Sequence, residues 1–169
     1  MGDDGDFSSY VVARWPCLIR SLVLLGSTYA EAGAVARDAL ARCRATWEHD
    51  RDTDDVDAQV FRILLEQRGR LERRRRKGRP TGVPDLPEPP LLVDPTYADP
   101  ERRLAQRRAL ADALARLPVE ERTVLVLRFV AELSEDQVAD VLDNGPDEVR
   151  GHQADGLAGL DLAALRGVR

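Results

Sequence analysis

Six of the ten prolines in the 169-residue chain fall between residues 78 and 99, at Pro80, Pro84, Pro87, Pro89, Pro90 and Pro95. So dense a run cannot continue a helix, because each proline lacks an N–H and pushes the residue before it out of the α region. The stretch reads as an extended, semi-rigid linker over 78–99, with one unit before it (1–77) and a second after it (100–169). Arg, Leu and Ala are the commonest residues of the sequence, and these are good helix formers. Aromatic residues make up only 5% of the chain, which suits small helical units with modest cores better than a β-sandwich. The expected fold is all-α: two small helical domains joined by the Pro-rich linker.

In the first unit, Asp6 can cap a helix opening near Phe7. Trp15-Pro16 predicts a kink or break, after which Leu18 to Leu25 resumes the helix and Gly26 ends it. Thr28 and Glu31 have the spacing of a capping box. Val35, Ala39, Leu40 and Cys43 recur on one stripe of the following helix, which reaches about Trp47. Residues 48–57 read as an acidic loop in which Asp54 and Asp55 look like caps. A third helix, from about Val56 to Arg76, carries Val60, Phe61, Leu64, Leu65 and Leu71 as its apolar members. It ends in the densest positive charge of the chain, Arg73, Arg74, Arg75, Arg76 and Lys77 in succession. A solvated helix end favours some positive charge. Five consecutive bases exceed that need, so the run is a candidate for tracking phosphates through counterion release.

In the second unit, Asp99 caps a helix whose first position is Pro100 and which runs to Arg116, with Leu104, Leu110, Leu114 and Leu117 inward. Leu117-Pro118 opens another, since proline misses no hydrogen bond in a first turn, and the apolar run Val124 to Val130 follows. Ser134 with Gln137 makes a second capping box, and Val138, Ala139, Val141 and Leu142 give that helix one apolar side. Asp143-Asn144-Gly145 reads as a turn, because Asn and Gly tolerate positive φ. Pro146 opens the last helix, with Val149, Leu157 and Leu160 inward. Two short helices about a glycine-containing turn form the helix-turn-helix pattern, although all-helical cores also contain such hairpins.

Several kinds of chemistry are disfavoured. The net charge of -5 counts against strong unaided nucleic-acid binding. Cys17 and Cys43 sit in apolar helical patterns and read as buried free thiols. His49 and His152 are too few and too far apart for a metal site. There is no Ser-His-Asp, Cys-His or paired-carboxylate arrangement and no phosphate-cradling glycine loop, so neither an enzyme nor a cofactor is expected. Trp15 and Trp47 read as core or groove-lining residues. The acidic start is unlike a signal peptide, and the longest apolar runs fall far short of the roughly 18 residues of a membrane span. The expected location is the cytoplasm, away from membranes.

Phe7, Tyr10-Val11, Ala13-Arg14-Trp15-Pro16, Leu18, Arg20 and Leu24-Leu25 resemble the opening F..(F/Y)V.ARWP.L.R...LL of an actinobacterial-type branch of the extracytoplasmic-function (ECF) sigma factors. Leu117 to Phe129, LPVEERTVLVLRF, is similar to that branch's LPxRQRAVLVLRY, and Glu132-Leu133-Ser134-Glu135 to its DLSE. The resemblance implies a factor of transcription initiation, with a region 2 over 7–77 and a region 4 over 101–163. By position, core RNA polymerase (its β′ subunit) would meet the helix Thr28–Trp47, with Arg37, Asp38, Leu40 and Trp47 as contact candidates. Promoter DNA at the −10 element would meet Arg73, Arg74, Arg75, Arg76 and Lys77. The −35 element would meet Arg150, His152 and Gln153 on the helix from Pro146. An anti-sigma factor or another regulator is a further partner of this kind of protein.

The sequence departs from the family in three places. Ala32 to Leu40, AGAVARDAL, stands where the family typically reads AEDLVQ.AL, so the acidic pair is missing and Arg37 takes the glutamine's place. Glu66 stands near the position of a usual asparagine. The last helix is acidic where the family's is basic. Between Ser134 and Asp161 lie eight acids, with Arg150 the only base apart from His152. Asp147 and Glu148 suit a helix start, but they repel the phosphate that such a start otherwise attracts. Gly151, Gly156 and Gly159 lower the propensity of the same helix. An alternative reading is therefore a sigma-like protein-interaction module with weak or no autonomous DNA binding.

Overall fold

The computed structural model describes residues 3–50, 55–83 and 100–160, with side chains described over 5–47, 55–83 and 105–160. Its elements are seven helices among those residues: α1 (Asp3–Leu24), α2 (Tyr29–Asp50), α3 (Val56–Arg76), α4 (Pro100–Ala115), α5 (Val119–Phe129), α6 (Glu135–Leu142) and α7 (Pro146–Gly159). Asp54, Asp99, the side chains of His49 and Leu104, and linker residues 84–99 lie outside what is described.

Helix ends follow local chemistry. Gly26, at φ 98°, reverses the chain after α1, and the Ser27 N–H bonds back to the Leu22 carbonyl at 3.0 Å. The box at α2 is complete: Thr28 N–H donates to the Glu31 carboxylate at 2.9 Å, and Glu31 N–H to the Thr28 hydroxyl at 3.2 Å. Ser134 and Gln137 cap α6 in the same reciprocal way.

Three expectations change. α1 runs unbroken through Pro16. That proline costs one backbone bond, to the Val12 carbonyl, and Val12 is 77% exposed, so water can replace it. Asp55 sits at the N-cap of α3 without making a side-chain cap bond, and its carboxylate instead accepts from Gln137 Nε2 at 3.3 Å. In the turn before α7, Asp143 takes the left-handed conformation at φ 56°, while Gly145 is extended at φ -74° and serves as N-cap.

The first three helices bury Leu18, Leu22, Val60, Phe61 and Leu64 almost completely. Trp47 closes one end, edge-on to Phe7 at 5.0 Å and tilted against Tyr10 at 4.9 Å. The second set of helices does not stand apart. Val124, Leu127, Leu133 and Val138 belong to the same buried cluster as Leu18 and Phe61. α3 packs on α6, and α1 on α4 and α5. Polar ties cross this seam: Arg62 donates to the Asp140 carbonyl, and the Cys17 thiol to the Val130 carbonyl at 3.3 Å.

α7 meets α5 through glycine. A Cβ on Gly156 would stand 3.0 Å from Leu125 Cδ1, and one on Gly159 would stand 2.7 Å from Leu117 Cδ2. Backbone contact replaces side-chain packing there. Gly156 is accordingly the buried residue, and Leu157, expected inward, is exposed.

Candidate nucleic-acid interface

The basic end of α3 is solvent-exposed from Arg73 through Lys77. Glu66 and Glu72 neutralise bases one turn earlier, binding Arg70 and Arg68 at i,i+4. Of the five consecutive bases only Arg75 has an ion pair among the described residues, with Glu31 at 3.3 Å. Gly78, at φ 62°, then reverses the chain, and Arg79 N–H bonds to the Arg74 carbonyl at 3.0 Å. The charge therefore stays on a rigid helix end.

On α2 the four contact candidates divide. Arg37 and Asp38 are exposed. Leu40 and Trp47 are each 5% exposed and belong to the core. Those two side chains cannot be offered to a polymerase surface without unpacking the first three helices, which corrects the expectation for them.

The last helix gathers its three candidates but engages each one. The Arg150 guanidinium binds the Asp147 carboxylate within α7 and reaches Glu135 of α6 at 3.2 Å. The hydrogen bond it donates to Asp147, and then the one it donates to Glu135, hold its pKa above the ordinary arginine value. His152 Nε2 lies 3.8 Å from Glu148. The Gln153 side-chain oxygen accepts from Arg128 Nε at 2.9 Å. Arg128 also donates to the Leu133 carbonyl, so it ties α5 to α7 and to the loop before α6. Its importance is not visible from composition, since the bonds join residues brought together only by folding.

A second network leaves no mark in the sequence. Asp57, in the first turn of α3, accepts from the Tyr10 hydroxyl at 2.8 Å and from Arg14 Nε at 2.9 Å. Burial, more than any neighbour, pushes the Tyr10 phenol up to about 12. This fixes the start of α3 against α1, and so sets where the basic end of α3 points.

A capped helix-turn-helix beside a basic helix end defines the class of helical DNA-binding proteins. Residues 107–150 match the family description "Sigma-70, region 4". The match begins within α4 and ends at Arg150, so most of α7 lies beyond it. The chain is 31% identical over 142 residues to an RNA polymerase sigma-E factor of Streptomyces coelicolor, covering 84% of this chain and 76% of that one. It is 29% identical over 143 residues to the RNA polymerase sigma-E factor of Streptomyces avermitilis, covering 83% and 75%. Among solved structures, it superimposes with TM-score 0.67 on the sigma factor RpoE of Bartonella quintana, in complex with the anti-sigma factor NepR, at 17% identity over 97% of this chain and 99% of that one. A structure of CnrH with the cytosolic domain of CnrY gives TM-score 0.63 at 21% identity, over 93% and 86%. The chain belongs to the RNA polymerase sigma factors of the ECF type, which act in transcription initiation. Sigma factors are transcription regulators.

Proposed function

We propose that this ECF sigma factor binds core RNA polymerase through the exposed face of α2 and grips promoter DNA mainly through the basic end of α3, with weak −35 reading by α7. The observation that carries this is the contrast between two sets of bases. Arg73, Arg74, Arg76 and Lys77 have no ion pair among the described residues, whereas Arg150 is held by Asp147 and Glu135. On α2, Arg37 and Asp38 are the polymerase contacts that exposure allows. The solved neighbours, one with an anti-sigma factor and one with the cytosolic domain of CnrY, favour a protein partner of the anti-sigma kind here too. No helix among the described residues is long and apolar enough to cross a membrane, which accords with work on cytoplasmic DNA.

The test combines purified protein with core polymerase, run-off transcription from genomic promoter fragments, and capture of core. Neutralising Arg73, Arg74 and Arg76 together should abolish transcripts while core binding persists. Arg150→Ala should change transcription far less. Undiminished transcripts from the triple variant would overturn the assignment to α3.

A second reading draws on the eight acids between Ser134 and Asp161: the helix-turn-helix half has become a protein-interaction module. Core binding without transcripts from any promoter would favour it.

A further inference from the structure

The reversal at Gly78 does more than end α3. It lays Thr81, Gly82 and Val83 alongside α2 and α3 as the third wall of a cleft of about 640 Å³. That volume is in the range of small-molecule sites. Ala34, Val35 and Leu71 form apolar parts of its lining. The basic run divides at this point by helical geometry, since residues three and four apart share a face. Arg70, Arg73, Arg74 and Lys77 line the cleft, whereas Arg75 and Arg76 do not. Arg37 and Arg42 enter from α2 and Arg79 from the returning chain, with Asp38 the only acid in the lining. Arg70 is paired with Glu66. Arg37, Arg42, Arg73, Arg74, Lys77 and Arg79 carry no ion pair among the described residues.

The wall behind these bases is partly polar. Gln67 also lines the cleft, is only 8% exposed, and its Nε2 has no hydrogen-bond partner. Leaving a buried donor unmade is costly. The amide nitrogen is itself sealed from solvent, so the donors the cleft offers are the guanidinium and ammonium groups around its mouth. Such a set asks for a ligand made of acceptors and carrying several negative charges. Phosphate oxygens meet both demands, and guanidinium groups match them in paired geometry.

We propose that the cleft between α2 and the C-terminal half of α3 is a binding site for a small polyphosphorylated anion, of diphosphate length or longer. The cleft is closed on three sides, which suits a compact ligand. A nucleic-acid strand is better served by the outer face, where Arg76 stands free. The assignment does not depend on the promoter contacts proposed above. A bound polyphosphate would nonetheless occupy Arg73, Arg74 and Lys77, and so would compete with any strand that uses them.

Titration calorimetry of the full chain with sodium tripolyphosphate, at physiological salt, tests this. One saturable site per chain is expected. Affinity should fall at least tenfold in the double variant Arg37→Ala, Arg42→Ala, which lies outside the α3 run. A control, Arg107→Ala with Arg108→Ala on α4, should bind as the unaltered chain does, and thermal melts would confirm that each variant is folded. No saturable heat at millimolar tripolyphosphate would overturn the proposal, as would equal losses in the control. Binding of a single-stranded oligodeoxynucleotide that tripolyphosphate cannot displace, with no saturable tripolyphosphate site, would assign the phosphates to the strand and likewise overturn it.

Discussion

Tyr10 donates its hydroxyl to Asp57, shares that carboxylate with Arg14, and lies against Trp47. Burial raises its pKa to about 12 from the usual 10.0. The folded state therefore keeps its phenolic proton at pH values where the unfolded chain has lost it. This contribution is whole below pH 10 and is lost as pH rises from there toward 12, with a total of roughly 2 to 3 kcal/mol. Alkaline denaturation should begin in that window, and spectrophotometric titration should show a tyrosine ionising well after the others. In Tyr10→Phe the late step should vanish, along with the alkaline part of the stability loss. A late step that persists in this variant would contradict the assignment. Nothing in the sequence marks this network, because its members lie 43 and 47 residues apart and pair only once α1 and α3 are packed. The basic run from Arg73 to Lys77 was legible as charge. Which of its members turn into the cleft was not, since that depends on where the chain goes after Gly78.

Among the elements, α7 departs furthest from what its composition implies. Its glycines read as three equal losses of helix propensity, yet the fold treats them differently. A Cβ at Gly151 would meet nothing within 4 Å, whereas one at Gly156 would press on Leu125 and one at Gly159 on Leu117. Gly151→Ala should therefore stabilise the protein by about 0.5–1 kcal/mol. Gly156→Ala should gain less or destabilise, because Leu125 must move to admit the methyl group. Denaturant melts of the two variants would separate these outcomes, and an equal gain from both would show that α7 does not depend on glycine to reach α5. The acids at its start make a second prediction. Replacing Asp147 and Glu148 by Asn and Gln removes two like charges from phosphate's approach and frees Arg150 from one of its partners. DNA affinity should rise and its salt dependence steepen, as read by fluorescence anisotropy across a salt series. An unchanged slope would mean that α7 does not approach phosphate at all. Helix ends were the most legible part of these elements, because both capping boxes lie within four consecutive residues. The inward face of α7 departs from its apolar pattern at Leu157, because periodicity does not say that glycine will be the contact surface.

The molecule as a whole packs its two helical domains on one another, with Arg62 bonded to Asp140 and Gln137 to Asp55 across the seam. Apolar patterning showed which face of each helix is buried but not that α3 and α6 would share a core. If the −10 and −35 elements are engaged together, this arrangement cannot persist. Their names place them about 25 base pairs apart, roughly 85 Å at 3.4 Å per step. A compact chain of this length has a radius of gyration of only about 15 Å. The two domains would then have to part to span the promoter. The packed form is then one that promoter engagement must open, and the surface buried between α3 and α6 and between α1 and α4 and α5 sets the cost of opening. A cleavable cross-linker about 10 Å long, joining Arg62→Cys to Asp140→Cys in a chain with Cys17 and Cys43 replaced, would hold the seam shut. The joined protein should give no promoter-directed transcripts with core polymerase, and cleaving the linker should restore them. Full transcription from the joined protein would show that the two domains act on the promoter without separating.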